Sequence, residues 1–409
     1  MSHFPFTLPL LLDGGTGTNL IAAGLPAGVC VEDWIIKNPA PLQELQRGYA
    51  QAGSNAVYAA TFGANRAKLA HYGLENQVAE INRKLVQISR EAVGTGVLVG
   101  GDMAPTGLFI EPYGDAKLEE IMAIYREQAF ALKEAGADFI GIETMMSLWE
   151  LRAAVLAARE TELPIFTSIT VEGNGRTIMG TSLLSCVITL QALGVSAVGV
   201  NCSEGPVGLA ELIDSVFPYA EVPLIVKPNG GKPDPNDSSK FDLTAQEFAL
   251  HMRKLIEAGA SVLGGCCGTN PEHIRLLNEA IEETPTRIHS EIDTFAAAND
   301  KEVFFLHEPE GLTFSEPIPC DYDLEDTLLD MEDERVHVAL VSLSSEDDVQ
   351  ILSAAVAITP LPIAIRCDSL QLLEQALLNY HGRAVVDSAS DIDREELQAI
   401  ADRFGAIVV

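Results

Sequence analysis

The chain has 409 residues, a formal net charge of −33 and 47% hydrophobic residues. That charge leaves little material for the basic patch phosphate contact requires, so no nucleic-acid partner is expected, while the apolar content supports a packed core of one large α/β domain and a smaller one. No segment approaches the length of a membrane span, and seven cysteines, an odd number without small-scaffold spacing, point to reduced thiols in a cytoplasmic protein.

Phe4 to Leu12 is apolar but short, carries no basic leader and runs into Asp13-Gly-Gly15, which fits a first strand and not a signal peptide. Further β-rich runs follow, each ending in a polar or glycine-containing turn: Ala56 to Phe62, Val97 to Asp102, Phe139 to Thr144, Pro164 to Thr170, Ala197 to Cys202, Pro223 to Asn229 and Val262 to Cys267. Helical patterns lie between them, including Pro41 to Ala52, Lys117 to Ala135, Leu148 to Glu160 and Thr244 to Ala258, with Gly53 and Gly136 placed to cap two of them. Eight β-α units in about 290 residues suit a closed (β/α)8 TIM barrel.

In such a barrel the C-terminal ends of the strands converge on one mouth. Here they carry Asp13, Thr61, Asp102, Glu143, Cys202, Asn229 and the adjacent pair Cys266 and Cys267. Neighbouring cysteines bond to one another only through a strained ring, so the pair reads as part of a metal site in need of a third thiol. Cys202 is far away in sequence, but the ends of strands six and eight can bring it to them. Three thiolates and one open position describe a catalytic zinc site.

These residues also carry a resemblance. The segments Leu12-Asp-Gly-Gly-Thr-Gly-Thr18, Thr61-Phe-Gly-Ala-Asn-Arg66, Gly141-Ile-Glu-Thr-Met145, Val200-Asn-Cys-Ser-Glu-Gly-Pro206, Val226-Lys-Pro-Asn229 and Gly264-Gly-Cys-Cys-Gly-Thr269 resemble the homocysteine S-methyltransferase family. Within it they are most similar to the homocysteine module of cobalamin-dependent methionine synthase. The resemblance covers about the first 285 residues, and a barrel domain over 1–288 is expected from it. It implies that Cys202, Cys266 and Cys267 hold Zn2+ with the homocysteine sulfur as fourth ligand. It also implies that Asp13 and Glu143 receive the amino acid's ammonium, and that the backbone N–H groups of Gly14 and Gly15 meet its carboxylate. Thr61, Asp102 and Asn201 complete the expected substrate-binding set, as contacts or as supports for the contacts.

Residues 291 to 409 hold 26 acidic and 6 basic side chains, which marks a compositional boundary near residue 290. A smaller, acidic, open α/β domain over 289–409 is expected, with strands at Val303 to His307, Val336 to Ser342, Pro362 to Cys367, Arg383 to Asp387 and Ala406 to Val409. Five strands do not close a barrel, so the edge would stay open, be completed by a partner, or continue in a longer protein. Pro362 to Ser369 and Gly382 to Ala389 are similar to early parts of a pterin-binding barrel, although Asp387 stands where that family has asparagine and its opening motif is missing. A partial barrel used for packing or docking is therefore expected, not a pterin site.

The function expected from the resemblance is zinc-dependent methyl transfer to homocysteine, giving methionine. No cobalamin-binding module is read in the sequence, so methylcobalamin would come from a separate corrinoid protein. Two other readings remain: direct transfer from a small sulfonium or quaternary ammonium donor, and a non-catalytic zinc-binding protein whose acidic segment docks a partner.

Overall fold

The computed structural model describes residues 4–111, 114–203, 205–235, 237–287, 295–306, 311–331, 336–359 and 361–409. Eight parallel strands form the first sheet: β1 (Leu10–Leu11), β2 (Ala56–Tyr58), β3 (Leu98–Met103), β4 (Phe139–Met145), β5 (Ile165–Ile169), β6 (Ala197–Cys202), β7 (Leu224–Pro228) and β8 (Ala260–Leu263). Their order is β1-β8-β7-β6-β5-β4-β3-β2. The remaining seam is stitched by Asn55, whose N–H donates to Leu11 O at 2.7 Å while its Oδ1 accepts from Leu11 N at 2.9 Å. The result is the expected TIM barrel.

Local sequence signals place the helices around it. Thr244, Ser147 and Asn270 cap the helices Ala245–Ala258, Leu148–Arg159 and Pro271–Glu283 by accepting from backbone N–H groups of the first turn. Gly53 and Gly136 follow the helices Ala40–Gln51 and Leu118–Glu134 with φ of 108° and 83°, a backbone region that glycine enters without a Cβ penalty.

The barrel interior is layered by the period-two alternation of strands. Low in the lumen, Leu10, Tyr58, Phe139, Phe166, Ile225 and Val262 form one apolar cluster with Phe4 and Phe6 packed against it. Four residues beyond Phe139 on β4, past Gly141, and two beyond Ile225 on β7, the same faces present Glu143 and Lys227. An apolar floor thus lies beneath a polar mouth. Gly141 is required for this, because a Cβ there would run into the Tyr58 ring.

The chain divides into two compact units, Met1–Met179 with Val195–Ser290, and Gly180–Gly194 with Glu291–Val409. The boundary expected at 288/289 lies outside the described residues. Its position in sequence also misses one segment: the helix Leu183–Ala192 falls in the second unit, where it packs on the antiparallel hairpin Ala296–Ala298/Val303–Phe305. Cys186, Val187 and Leu190 of that helix are fully buried.

The second unit carries five parallel strands in chain order: β9 (Ile318–Pro319), β10 (Ala339–Leu343), β11 (Ile363–Cys367), β12 (Val385–Val386) and β13 (Ile407–Val408). One expectation needs correction. Val303–Phe305 belongs to the hairpin, and the sheet's first strand is Ile318–Pro319, whose Pro319 hid its strand character because proline is disfavoured inside sheets. His307 lies outside the described residues. Among the described residues no helix is long and apolar enough to cross a membrane.

Candidate metal centre and substrate site

Cys202 is the last residue of β6, and Cys266 and Cys267 follow β8 on the loop leading to the helix Pro271–Glu283. Their Sγ atoms all lie within 4.8 Å of one another. Zinc–sulfur bonds of about 2.3 Å in a tetrahedron separate the sulfurs by roughly 3.8 Å, so the three thiols can close on one ion with small adjustments. All seven cysteines are free.

The backbone that carries the thiols is held on every side. Cys266 N donates to Pro228 O at 2.8 Å and Gly230 N to Cys267 O at 2.8 Å, tying the loop to the end of β7. Thr269 Oγ1 donates to Cys266 O at 2.7 Å. Cys202 adopts φ of +61° and Ser203 of +23°, conformations that non-glycine residues adopt at a cost of order 1–3 kcal/mol. Asn229 Nδ2, donating to Ser203 O at 2.5 Å, holds that turn in place.

The thiols are coupled to each other. Cys202 is pushed well up, chiefly by its hydrogen bond to Cys266, whereas Cys267 is pulled down by hydrogen bonds from Cys202 and Cys266. A cation that takes all three sulfurs displaces their protons.

Beside the thiols the lumen holds three buried carboxyl groups and one amine. Lys227 Nζ lies 2.6 Å from Glu143 Oε2, 4.0 Å from Asp13 Oδ1 and 3.8 Å from the centroid of the Tyr58 ring. Its side chain is 3% exposed. Burial alone would lower its pKa, but Glu143, Tyr58, Asp13 and Cys266 more than offset that, and the ammonium is held well above its ordinary range. Burial pushes Asp13 up to about 7 against the pull of Lys227 and of the Tyr58 N–H, which donates to Asp13 Oδ2 at 2.9 Å. Glu143 and Asp102 are raised too, first by burial. Asp102 Oδ1 accepts no hydrogen bond from the described residues.

The expected site residues thus divide into groups. Asp13, Glu143 and Asp102 share the buried pocket around Lys227. Thr61 does not open into it: its Oγ1 donates to Asp102 O at 2.8 Å and accepts from Asp102 N at 2.8 Å, clamping the end of β3. Asn201 is fully buried and its amide is engaged with Thr144 N, Thr144 Oγ1 and Ser168 Oγ at 2.8, 2.8 and 2.9 Å. Gly15 N donates to Thr269 Oγ1 at 3.0 Å, whereas the Gly14 N–H has no hydrogen-bond partner among the described residues. Both glycines serve close packing. A Cβ on Gly15 would meet Cys266 O at 2.5 Å, and one on Gly14 would meet Tyr49 OH at 2.9 Å.

Lys227 is the residue that sequence reasoning passed over. The signal was present: on β7 it follows Ile225 at the lumen spacing of two, so a lysine at that strand end had to enter the barrel. Its meaning depended on Glu143, which is 84 positions away in sequence.

Fold and site together define a TIM barrel with three cysteines that could hold a metal ion beside an acidic, amine-lined pocket. The profile of the family described as homocysteine S-methyltransferase matches residues 10–281, and the chain belongs to that family of enzymes. Methionine synthase of Mycobacterium tuberculosis is 28% identical over 445 residues, an alignment that takes in 97% of this chain, and so both units, and 37% of that protein. Methionine synthase of Mycobacterium leprae is 30% identical over 289 residues, covering 66% of this chain and 24% of that protein. The chain therefore spans well under half the length of these relatives. Among solved structures, the metallated form of the homocysteine methyltransferase MmuM from Escherichia coli superposes with a TM-score of 0.57 at 26% identity, covering 66% of this chain and 95% of that one.

Proposed function

We propose that this chain transfers a methyl group to the sulfur of homocysteine, giving methionine, at a zinc ion held by Cys202, Cys266 and Cys267. The observation that carries the reading is the meeting of three thiols within 4.8 Å beside two buried carboxylates at one barrel mouth. Family membership and the metallated form of the MmuM relative support it.

A free alkyl thiol has a pKa near 8.5 and is mostly protonated at neutral pH. When bound, zinc favours the deprotonated form of a thiol at its open position. The chain's own residues do the rest. Asp13 and Glu143 receive the substrate's ammonium, and the Gly14 N–H serves its carboxylate. Anchoring the amino-acid end fixes where the sulfur can reach, which converts a bimolecular encounter into a directed one. The apolar floor beneath keeps water out of the lumen and strengthens these charge contacts.

For the methyl donor we propose methylcobalamin carried by a corrinoid protein, supported by the similarity to methionine synthases. The test is to incubate zinc-loaded protein with homocysteine and either free or protein-bound methylcobalamin, reading methionine. Failure with both forms, alongside turnover of a sulfonium donor, would reassign the donor. Failure to bind homocysteine at all, with zinc retained, would leave a non-catalytic zinc protein.

A further inference from the structure

The lumen pocket contains its own ammonium ion. Lys227 reaches from β7 to Glu143 on β4 and ends 2.6 Å from Oε2, with Asp13 Oδ1 at 4.0 Å. Groups facing it are Asp13 from β1, Tyr58 from β2, Asp102 from β3, Glu143 from β4, Tyr49 from the helix Ala40–Gln51 and Cys266 after β8. A substrate ammonium anchored on Asp13 and Glu143 therefore enters a place where an internal amine already holds one carboxylate oxygen.

Two arrangements are conceivable: Lys227 competes for the carboxylates, or it shares them. Charge decides. Without Lys227, Asp13, Asp102 and Glu143 would crowd into a dry pocket next to thiolates, and buried like charges take up protons rather than stay ionised. Protonated acids attract an ammonium poorly. Among the described residues Lys227 forms ion pairs with Glu143 and Asp13 and none with Asp102, so two carboxylates face one internal cation. The remaining single negative charge matches one external ammonium.

Resting on the homocysteine reading above, we propose that Lys227 is a positioning residue for the substrate's amine: it stays paired with Glu143 Oε2 beside Asp13, offsets the repulsion between the two carboxyl groups, and leaves their free oxygens to the ammonium of homocysteine. Selectivity for an α-amino thiol over a plain thiol carboxylate then depends on a residue that need not touch the substrate. Nearly isosteric replacement by methionine removes the charge and retains the volume.

The test measures binding to the zinc-loaded 409-residue chain by calorimetry, using homocysteine and its desamino analogue 4-mercaptobutanoate, which keeps the thiol and the carboxylate. In Lys227→Met the affinity for homocysteine should fall at least about tenfold, the scale of one charge-assisted contact, while that for the analogue changes less than about threefold. Zinc content and melting temperature are followed in parallel. Equal weakening of both ligands, or an undiminished preference for homocysteine, overturns the proposal. A variant that does not fold is replaced by a crystal structure of the wild-type chain with zinc and homocysteine. There, Lys227 still bonded to Glu143 with the substrate ammonium on Glu143 or Asp13 upholds it, and Lys227 withdrawn from Glu143 overturns it. A wild-type chain that binds neither thiol overturns the homocysteine reading and this inference together, whereas wild-type preference retained in Lys227→Met overturns only the role of Lys227.

Discussion

The side-chain amide of Asn201 accepts from Thr144 N and donates to Thr144 Oγ1, both at 2.8 Å, and so fastens the end of β6 to the end of β4. Each partner is the immediate neighbour of a functional residue, Cys202 in one case and Glu143 in the other. Thr144 itself is at φ of +61°, a conformation this two-point grip offsets. The proposed metal centre and the pocket around Lys227 are thus aligned by one buried amide.

Replacing Asn201 with alanine leaves Thr144 N and Ser168 Oγ without their acceptor in a buried place, which costs about 1–3 kcal/mol for each unsatisfied group. The expected outcome is a melting temperature lower by several degrees and a homocysteine affinity reduced more than zinc affinity, because Glu143 loses its alignment while the thiol loop keeps its ties to β7. Calorimetric melting together with separate zinc and homocysteine titrations checks this. Unchanged homocysteine binding would show that Thr144 holds its conformation without Asn201.

Serine in place of Cys266 removes a thiolate whose sulfur lies within 4.8 Å of both others. Zinc retained after dialysis should fall from about one ion per chain to near zero, with the far-ultraviolet spectrum preserved, since the loop backbone is held by Pro228 O, Gly230 N and Thr269 and not by the sulfur. Full zinc retention in the variant would move the ion elsewhere.

Gly15→Ala tests close packing against the same loop. Its Cβ would approach Cys266 O to 2.5 Å, and backbone cannot swing aside as a side chain can. Overpacking of this kind costs about 1–3 kcal/mol. Displacement of Cys266 should weaken zinc binding well beyond that of a control such as Gly17→Ala, where nothing lies within 4 Å of the added methyl. Competition with a chromogenic chelator gives the ratio.

Asp13 sets the pH dependence of amine binding. Burial raises its carboxyl from an ordinary 3.8 to about 7. A raised folded pKa means the native state holds the proton more tightly, so this group's contribution to stability is greatest at low pH and diminishes as pH rises from about 4 through about 7. A substrate ammonium compensates the charge that then appears. Homocysteine affinity should rise between about pH 6 and 8, and Asp13→Asn should flatten the part of the rise that 4-mercaptobutanoate does not share. A profile in Asp13→Asn equal to wild type would assign the titration to another group.

Truncation after residue 290 should not yield a clean barrel. The helix Leu183–Ala192, in which Cys186, Val187 and Leu190 are fully buried, packs within the second unit on the hairpin Ala296–Ala298/Val303–Phe305. Removing residues 291–409 exposes that face, at about 25 cal/mol for each Å² of apolar surface returned to water. Greater dye binding to exposed apolar surface and a lower melting temperature than the full chain are expected. A truncated form as stable as the full chain would show that the helix finds other cover.

The set of parts is legible in the order of residues. Alternating apolar runs, glycine caps and polar strand ends specify eight β-α units, because strand and helix periodicities are local properties of neighbouring residues. The barrel rule then assigns Cys202, Cys266, Cys267, Asp13 and Glu143 to one mouth. The tertiary structure alone decided how these parts share contacts. It turned Asn201 and Thr61 inward as clamps, gave the Gly15 N–H to Thr269, and set Lys227 against Glu143. It also assigned the helix Leu183–Ala192 to the second unit, although its neighbours in sequence lie in the first. Such choices depend on which hydrogen-bonding and charged groups meet when remote segments close on one another, and a buried polar group must take the partner that the closed barrel brings within reach.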